Sequence, residues 1–378
     1  MPSRRAVVRA VLYGVLALPL WVSAQNRANE PAGPASEASA DRPRTRFGTG
    51  PLTVALLLPR QDGPFARAAS SLLAGVRAAH ARDGSGVVVE AIEVDDQADQ
   101  LAMTYGELRD RSVAMVIGPI TRNGVNALVD LGSLGVPTLA LNVPDTQGAL
   151  PSRLMIFGLA IEAESKQVAA HGFEQARAHA PGRRPRAVAV MVASPLARRA
   201  TTAFRDAWIQ LGGEMREPVE FAGPRPPRDL RARLGTPAPD VAFLAMGAEQ
   251  ARVLRSALGT ETAVWGTSLA SIGSGSGLRL PELDGMRLLE MPWQIEPENP
   301  AVMAYAKPPA GFNVEMQRLY AFGIDAFRVA RQLMAGDTAF ELDGVTGRLR
   351  FDPGGAPRVE RIALPAEYRN GVPVMSPL

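Results

Sequence analysis

The sequence predicts an α/β protein of two lobes, each a parallel sheet flanked by helices. Runs of strand length such as residues 53–58 (TVALLL) are continuously apolar after the opening threonine. A strand buried on both faces requires this, whereas a half-solvated strand alternates. Each such run is followed by a stretch with apolar residues at helical spacing, and strand–helix alternation builds parallel sheets covered by helices. The chain has 378 residues, and a single core stops growing near ~250–300 residues, so two lobes are expected.

The elements follow in order. Residues 53–58 form the first strand, stopped by Pro59. Residues 64–82 place Phe65, Ala69, Leu72, Leu73, Val76 and Ala79 on one helical side. Strand 87–94, helix 97–111, strand 113–117, helix 122–131 and strand 136–141 complete a first series. A second series starts at 154–157 and helix 161–180, then strand 186–192, helix 196–211 and strand 215–221. Strand 240–246, helix 248–258 and strand 262–265 continue it. A strand at 285–291, a long amphipathic helix at 316–334 and a hairpin at 344–351 come last. Two series imply a cleft between two lobes; no solenoid-type repeat is visible.

Composition narrows the function classes. With 46% hydrophobic and 21% charged residues the chain is not a disordered or collagen-like polymer. It contains no cysteine, which excludes disulfides, thiolate metal sites, cysteine nucleophiles and a lipid-modified cysteine within it. Residues 1–24 read as a cleaved signal peptide, with Arg4, Arg5 and Arg9 ahead of an apolar run and Val22-Ser23-Ala24 at the cleavage positions. That run is broken by Pro19 and falls short of the ~20 apolar residues of a span. An uncleaved anchor is the alternative, but no stable membrane insertion after cleavage is expected. Beyond this segment 38 basic residues face 38 acidic ones, so no nucleic acid or other polyanion is expected as a general partner. Residues 25–50 are rich in Ala, Pro, Gly and Ser, cannot bury enough surface to offset their ordering entropy, and are expected to be a disordered tether. The expected location is the periplasm, in soluble form.

Certain motifs point further. Gly63-Pro64-Phe65-Ala66 opening the first helix, and Gly118-Pro119-Ile120-Thr121 after the third strand, resemble the first lobe of type I periplasmic binding proteins. The resemblance implies three crossings between lobes, so that residues 51–157 plus 285–338 form lobe 1 and 158–284 plus 339–378 form lobe 2. A narrower resemblance rests on Pro137-Thr138-Leu139-Ala140-Leu141-Asn142, on Phe157-Gly158-Leu159 followed by Glu162 and Glu164, and on residues 320–328 (YAFGIDAFR). It extends to Gly344-Val345-Thr346-Gly347-Arg348-Leu349 and to residues 369–374 (RNGVPV). In that order these pieces are similar to the penicillin-binding protein activator (LppC-type) family. Two departures stand beside it: no cysteine is present to lipidate, and the tether occupies the place of a helical-repeat domain. The resemblance implies a non-enzymatic periplasmic regulator that binds and stimulates a class A penicillin-binding protein, a peptidoglycan synthase. The alternative is a substrate-binding protein of an ABC transporter, taking an amino acid or similar small ligand.

A small-molecule ligand in such a fold would sit between the lobes, at loops after the carboxyl ends of the strands. Gln61, Gly63 and Phe65 follow the first strand, Gly118, Thr121 and Arg122 the third, and Asn142 the fourth. Helix N-termini suit an anion, and Arg122 offers a bidentate partner. The competing reading is that the Gly-Pro pairs turn the chain and Thr121 caps a helix. In lobe 2 the loop holding Ser194 lacks the aromatic–glycine pair that the resemblance implies for amino-acid binders. Glu249 is the candidate partner for an ammonium, against a plain solvated helix position.

Asp95, Asp96 and Asp99 lack the spacing of a calcium loop, and no metal or cofactor is expected. His171 and His179 are ~12 Å apart along one helix, and His80 lies elsewhere, so no shared metal or catalytic triad forms. No enzyme activity is expected. Gly273-Ser274-Gly275-Ser276-Gly277 lacks the lysine of a phosphate-binding loop and reads as a flexible connection. Arginines at 183–184, 198–199 and 225–233 read as a solvated face. Trp293 and Phe312 suit either an exposed contact or a core.

Overall fold

Strands apolar along their whole length need cover on both sides, and the chain supplies it twice. A computed structural model describes residues 44–146, 148–223, 225–337 and 339–376, all within one compact unit. The expected signal peptide and most of the expected tether lie outside these residues. The first part runs β1 (Arg44–Gly48), β2 (Leu52–Leu58), α1 (Ala66–Asp83), β3 (Val87–Glu93), α2 (Ala98–Asp110), β4 (Met115–Ile117), α3 (Arg122–Asp130), β5 (Thr138–Ala140) and β6 (Leu154–Ile156). The second runs α4 (Ile161–His179), β7 (Arg186–Met191), α5 (Pro195–Gln210), β8 (Glu214–Met215), β9 (Val219–Glu220), α6 (Leu230–Leu234), β10 (Val241–Ala245), α7 (Ala248–Leu258), β11 (Ala263–Gly266) and β12 (Arg287–Glu290). The chain ends with α8 (Pro292–Ile295), α9 (Pro300–Met303), α10 (Val314–Met334), β13 (Phe340–Gly344), β14 (Gly347–Phe351), β15 (Glu360–Ile362), β16 (Leu364–Arg369) and β17 (Val372–Met375).

The first sheet has the order β1-β3-β2-β4-β5-β6 and is parallel except for β1. Along β2, Val54, Leu56 and Leu58 face a core beneath α1 and α10, while Ala55 and Leu57 face a second core beneath α2 and α3. The second sheet runs β17-β16-β12-β11-β10-β7-β8, with β9 also paired to β7. Its β7 repeats the arrangement, with Val188 and Val190 on one core and Ala187, Ala189 and Met191 on the other. A third sheet, β13-β14-β15, is antiparallel.

Three boundaries differ from expectation. The tether does not extend to residue 50: Arg44–Gly48 pairs antiparallel with β3, and Phe47 packs on the core with His80 against its ring. Lobe 1 does not resume at 285, because β12 continues the second sheet beside β11 and sends Leu288 and Leu289 to its two cores. Lobe 2 does not resume at 339, since Val345, Leu349 and Phe351 of the hairpin belong to the first lobe's core. The crossings therefore fall after β6, after β12 and between β15 and β16. The strand expected at 215–221 is two short pieces, β8 and β9.

Helices α1 and α10 meet at backbone distance. A β-carbon at Gly75 would lie 1.9 Å from the Tyr320 carbonyl oxygen, and one at Gly323 would lie 2.3 Å from that of Leu72. Only glycine at both positions permits this approach.

Candidate functional site

A cleft of about 460 Å³ opens between the lobes, lined by Phe65, Thr121, Arg122 and Asn142 from the first and by Glu162, Leu196 and Arg199 from the second. The strand–helix loops of β2, β4 and β5 deliver the first set, because parallel strands point their carboxyl ends the same way.

Four of the expected candidates thus meet at one place: Phe65, Thr121, Arg122 and Asn142. The others do not line the cleft. Gln61 accepts from Ser70 at 3.1 Å and lines a separate small pocket beside Arg77 and Glu93. Gly63 closes a turn, its amide donating to Arg60 at 3.2 Å. Gly118, at φ +105°, precedes a cis bond to Pro119, and a side chain there would strike the Leu57 carbonyl oxygen at 2.5 Å. Ser194 caps α5 by accepting from the Ala197 amide at 3.1 Å. Glu249 is corrected from ligand group to surface group: its side chain is 66% exposed and pairs with Arg252 one helical turn on. Glu249→Gln is therefore expected to change stability by no more than about 0.5 kcal/mol in urea unfolding.

Within the cleft the polar groups largely satisfy one another. Thr121 donates to Asp96 at 2.6 Å and accepts from the Gly124 amide at 3.1 Å, so it caps α3. Asn142 donates to the Ile120 carbonyl and accepts from the Val143 amide, both at 2.9 Å. Arg122 donates to Asp145 at 2.9 Å and to Glu162 at 3.4 Å. Hydrogen bonds from Asn126 and Arg122 hold the Asp145 carboxyl below its ordinary value. Glu162 also lies 3.1 Å from Arg199, so one carboxylate of lobe 2 stands between guanidinium groups of both lobes. Glu162 Oε2 and Arg199 Nε are left buried without a hydrogen-bond partner. An amino acid needs a free cation for its carboxylate and a free acid for its ammonium; here those charges are matched to each other.

Beneath the cleft, charges cross between lobes in buried positions. Arg318 of α10 binds Glu290 at the end of β12, and both side chains are at most 5% exposed. Arg361 of β15 binds Glu164 of α4 with equal burial, and Glu164 accepts from the Ser268 hydroxyl at 2.8 Å. Arg361 also donates to the Thr346 carbonyl at 3.0 Å, and the Thr346 hydroxyl donates to Asp325 at 2.7 Å. Burial lifts the Asp325 carboxyl above its ordinary value, against lowering by Arg328 and Thr346. Gln167 holds the third crossing, donating to the Arg361 carbonyl at 2.9 Å and accepting from the Ala363 amide at 3.0 Å. Sequence reading singled out none of these pairs.

The remaining candidates are structural. His80 bonds the Val87 carbonyl at 2.9 Å and packs edge-on to Phe327. His171 stacks on Trp265, and burial lowers its pKa. Among the described residues no three His, Cys, Asp or Glu side chains are grouped to hold a metal ion. Trp293 is buried against Tyr320, and half-buried Phe312 packs on the same ring, so the core reading applies to both. The 273–277 loop is pinned by Ser274, which donates to the Gln294 carbonyl at 2.6 Å. Not all the arginine runs are solvated: Arg184 donates to the Gly212 carbonyl at 2.7 Å, and Arg199 lies in the cleft.

The profile described as "LppC putative lipoprotein" matches residues 47–233 and 239–371. The chain belongs to the LppC family. Both lobes and all three crossings fall inside the match. A relative in Enterobacter sp. (strain 638), named penicillin-binding protein activator LpoA, is 26% identical over 303 residues, covering 68% of this chain and 40% of that protein. The protein of the same name in Pantoea ananatis is 24% identical, over 68% of this chain and 43% of its own length. The chain thus spans about two fifths of these curated relatives. Among solved structures, the LpoA C-domain of Haemophilus influenzae, titled a regulator of PBP1A, superposes with a TM-score of 0.68 at 20% identity, covering 86% of this chain and 99% of that one. A putative branched-chain amino acid ABC transporter from Chromobacterium violaceum superposes at 0.69 and 31% identity, over 84% and 100%. The α/β fold of LppC-family and periplasmic-binding-protein structures is therefore that of this chain. Among the described residues no helix is long and apolar enough to cross a membrane.

Proposed function

We propose that this protein is a non-enzymatic periplasmic regulator that binds a class A penicillin-binding protein and stimulates glycan synthesis. The observation that carries the reading is the match to the LppC family across both lobes, joined to relatives named as penicillin-binding protein activators. The cleft supports it in a second way. Its charges neutralise one another, and two buried ion pairs tie the lobes beneath it, an arrangement ill-suited to a receptor that opens and closes on an amino acid. The role is allosteric: docking raises synthase activity by binding the active state better than the inactive one.

The test is binding of the purified protein to the periplasmic part of a class A synthase from the same organism, with glycan polymerisation followed alongside. Binding at about micromolar Kd or tighter together with faster polymerisation is expected. Absence of both overturns the reading. A thermal shift of the protein with amino acids, in place of synthase binding, would favour a transport receptor such as the Chromobacterium neighbour's name describes.

A further inference from the structure

A larger cavity, about 640 Å³, lies at the opposite end of lobe 2 from the cleft. The amino-terminal ends of β7, β10, β11 and β12 and the carboxyl end of α4 surround it. Four arginines line it: Arg183, Arg186, Arg255 and Arg287.

Their charges are unevenly matched. Arg183 is held by Asp240, donating at 2.9 Å, and the same carboxylate accepts the Arg186 amide at 2.7 Å. The guanidinium of Arg186 feels the Asp240 charge only at longer range and makes no hydrogen bond to it, and its Nε is buried without a partner. Arg255 donates to the Gly259 carbonyl at 3.2 Å, and its Nε is likewise buried and unpartnered. Burial lowers the Arg255 pKa with no acid to offset it. Arg287 lies 5.8 Å from the centre of the Trp265 ring, in a cation–π position. Of the acids on the wall, Glu367 is 3.0 Å from Arg369 and Asp240 is taken by Arg183, while Glu261 is exposed.

Guanidinium groups partly sheltered from water with N–H donors left unsatisfied are costly, and planar oxyanions satisfy them by paired, charge-assisted hydrogen bonds. The volume exceeds that of a single ion and falls within the range of small-molecule sites. We propose that this cavity binds a small anionic molecule carrying phosphate or carboxylate groups, held by Arg186, Arg255 and Arg287. Binding here is separate from the cleft and independent of any synthase contact.

The test is calorimetric titration of the whole protein at low ionic strength, where such contacts are least screened, with inorganic phosphate in one arm and citrate in the other. Saturable binding of at least one is expected, and the arm that binds identifies the oxyanion class. The double variant R186Q/R255Q should weaken it by at least about tenfold, the worth of one hydrogen bond to a charged group. Glu261→Gln should tighten it, a gain that a purely structural role for the wall would not produce, whereas Arg122→Gln in the cleft should leave it unchanged. The proposal is overturned if neither anion binds, if the double variant binds like the parent while folded by circular dichroism, if E261Q fails to tighten binding, or if R122Q abolishes it.

Discussion

Replacing Arg318 by methionine is expected to lower the free energy of unfolding by about 3–5 kcal/mol, the usual cost of removing one partner from a buried ion pair. The cost arises mainly from what remains. Glu290 is 0% exposed, and without Arg318 its carboxylate keeps only the Met291 amide, 2.9 Å from Oε1. An uncompensated charge in that position must be protonated or hydrated, and either disturbs the second crossing between lobes. The double variant R318M/E290L is expected to recover part of the loss, because two apolar groups leave no buried charge but strand the Met291 amide that Glu290 had accepted. Urea unfolding of the parent, the single and the double variant measures both. A single-variant loss below about 1 kcal/mol, or a double variant no better than the single, would show that the pair does not stabilise this junction.

Gly75→Ala is expected to destabilise by about 2–3 kcal/mol, although alanine is ordinarily favoured over glycine inside a helix by about 1 kcal/mol. The sign reverses because the new methyl would sit 1.9 Å from the Tyr320 carbonyl oxygen, and backbone cannot step aside as a flexible side chain can. Helices α1 and α10 would have to separate, opening the core that contains Leu72, Tyr320 and Phe327. Gly106 in α2 is the control. A β-carbon there meets nothing within 4 Å, so Gly106→Ala is expected to stabilise by about 0.5–1 kcal/mol. Thermal or chemical unfolding of both variants decides the matter; equal effects at the two glycines would rule out the close approach as the cause.

The Arg318–Glu290 and Arg361–Glu164 pairs bear on function as well as stability. Both link an element of the first lobe to one of the second, and both sit where the chain crosses. A receptor that traps a small ligand needs its lobes to swing; a docking module gains from lobes held in one arrangement, since less ordering entropy is lost on binding.

The spacing of these charged residues carries part of the information. Arg318 and Asp325 are seven residues apart, two helical turns, on a face of α10 otherwise made of Ala321, Phe322 and Val329. Glu164 stands among Ile161, Ser165 and Val168 on the buried side of α4. A charged residue at helical spacing on an apolar face signals a buried partner, but periodicity does not say which one. Arg361 is 197 positions from Glu164, and nothing local connects them.

The sequence by itself determined the parallel sheets, the helices between them and the two-lobe plan, because apolar periodicity is a local record of which faces are buried. The motif at residues 320–328 lies on α10, within the family match. Tertiary structure alone decided where the chain changes lobes, that Arg44–Gly48 is a strand, and that Glu249 stays outside the cleft while Glu162 and Arg199 enter it. It alone also gathered the arginines at the far end of lobe 2. The reason is common to all of these: they depend on pairing between residues distant in the chain, and a strand edge or a counter-charge leaves no periodic trace in the segment that supplies it.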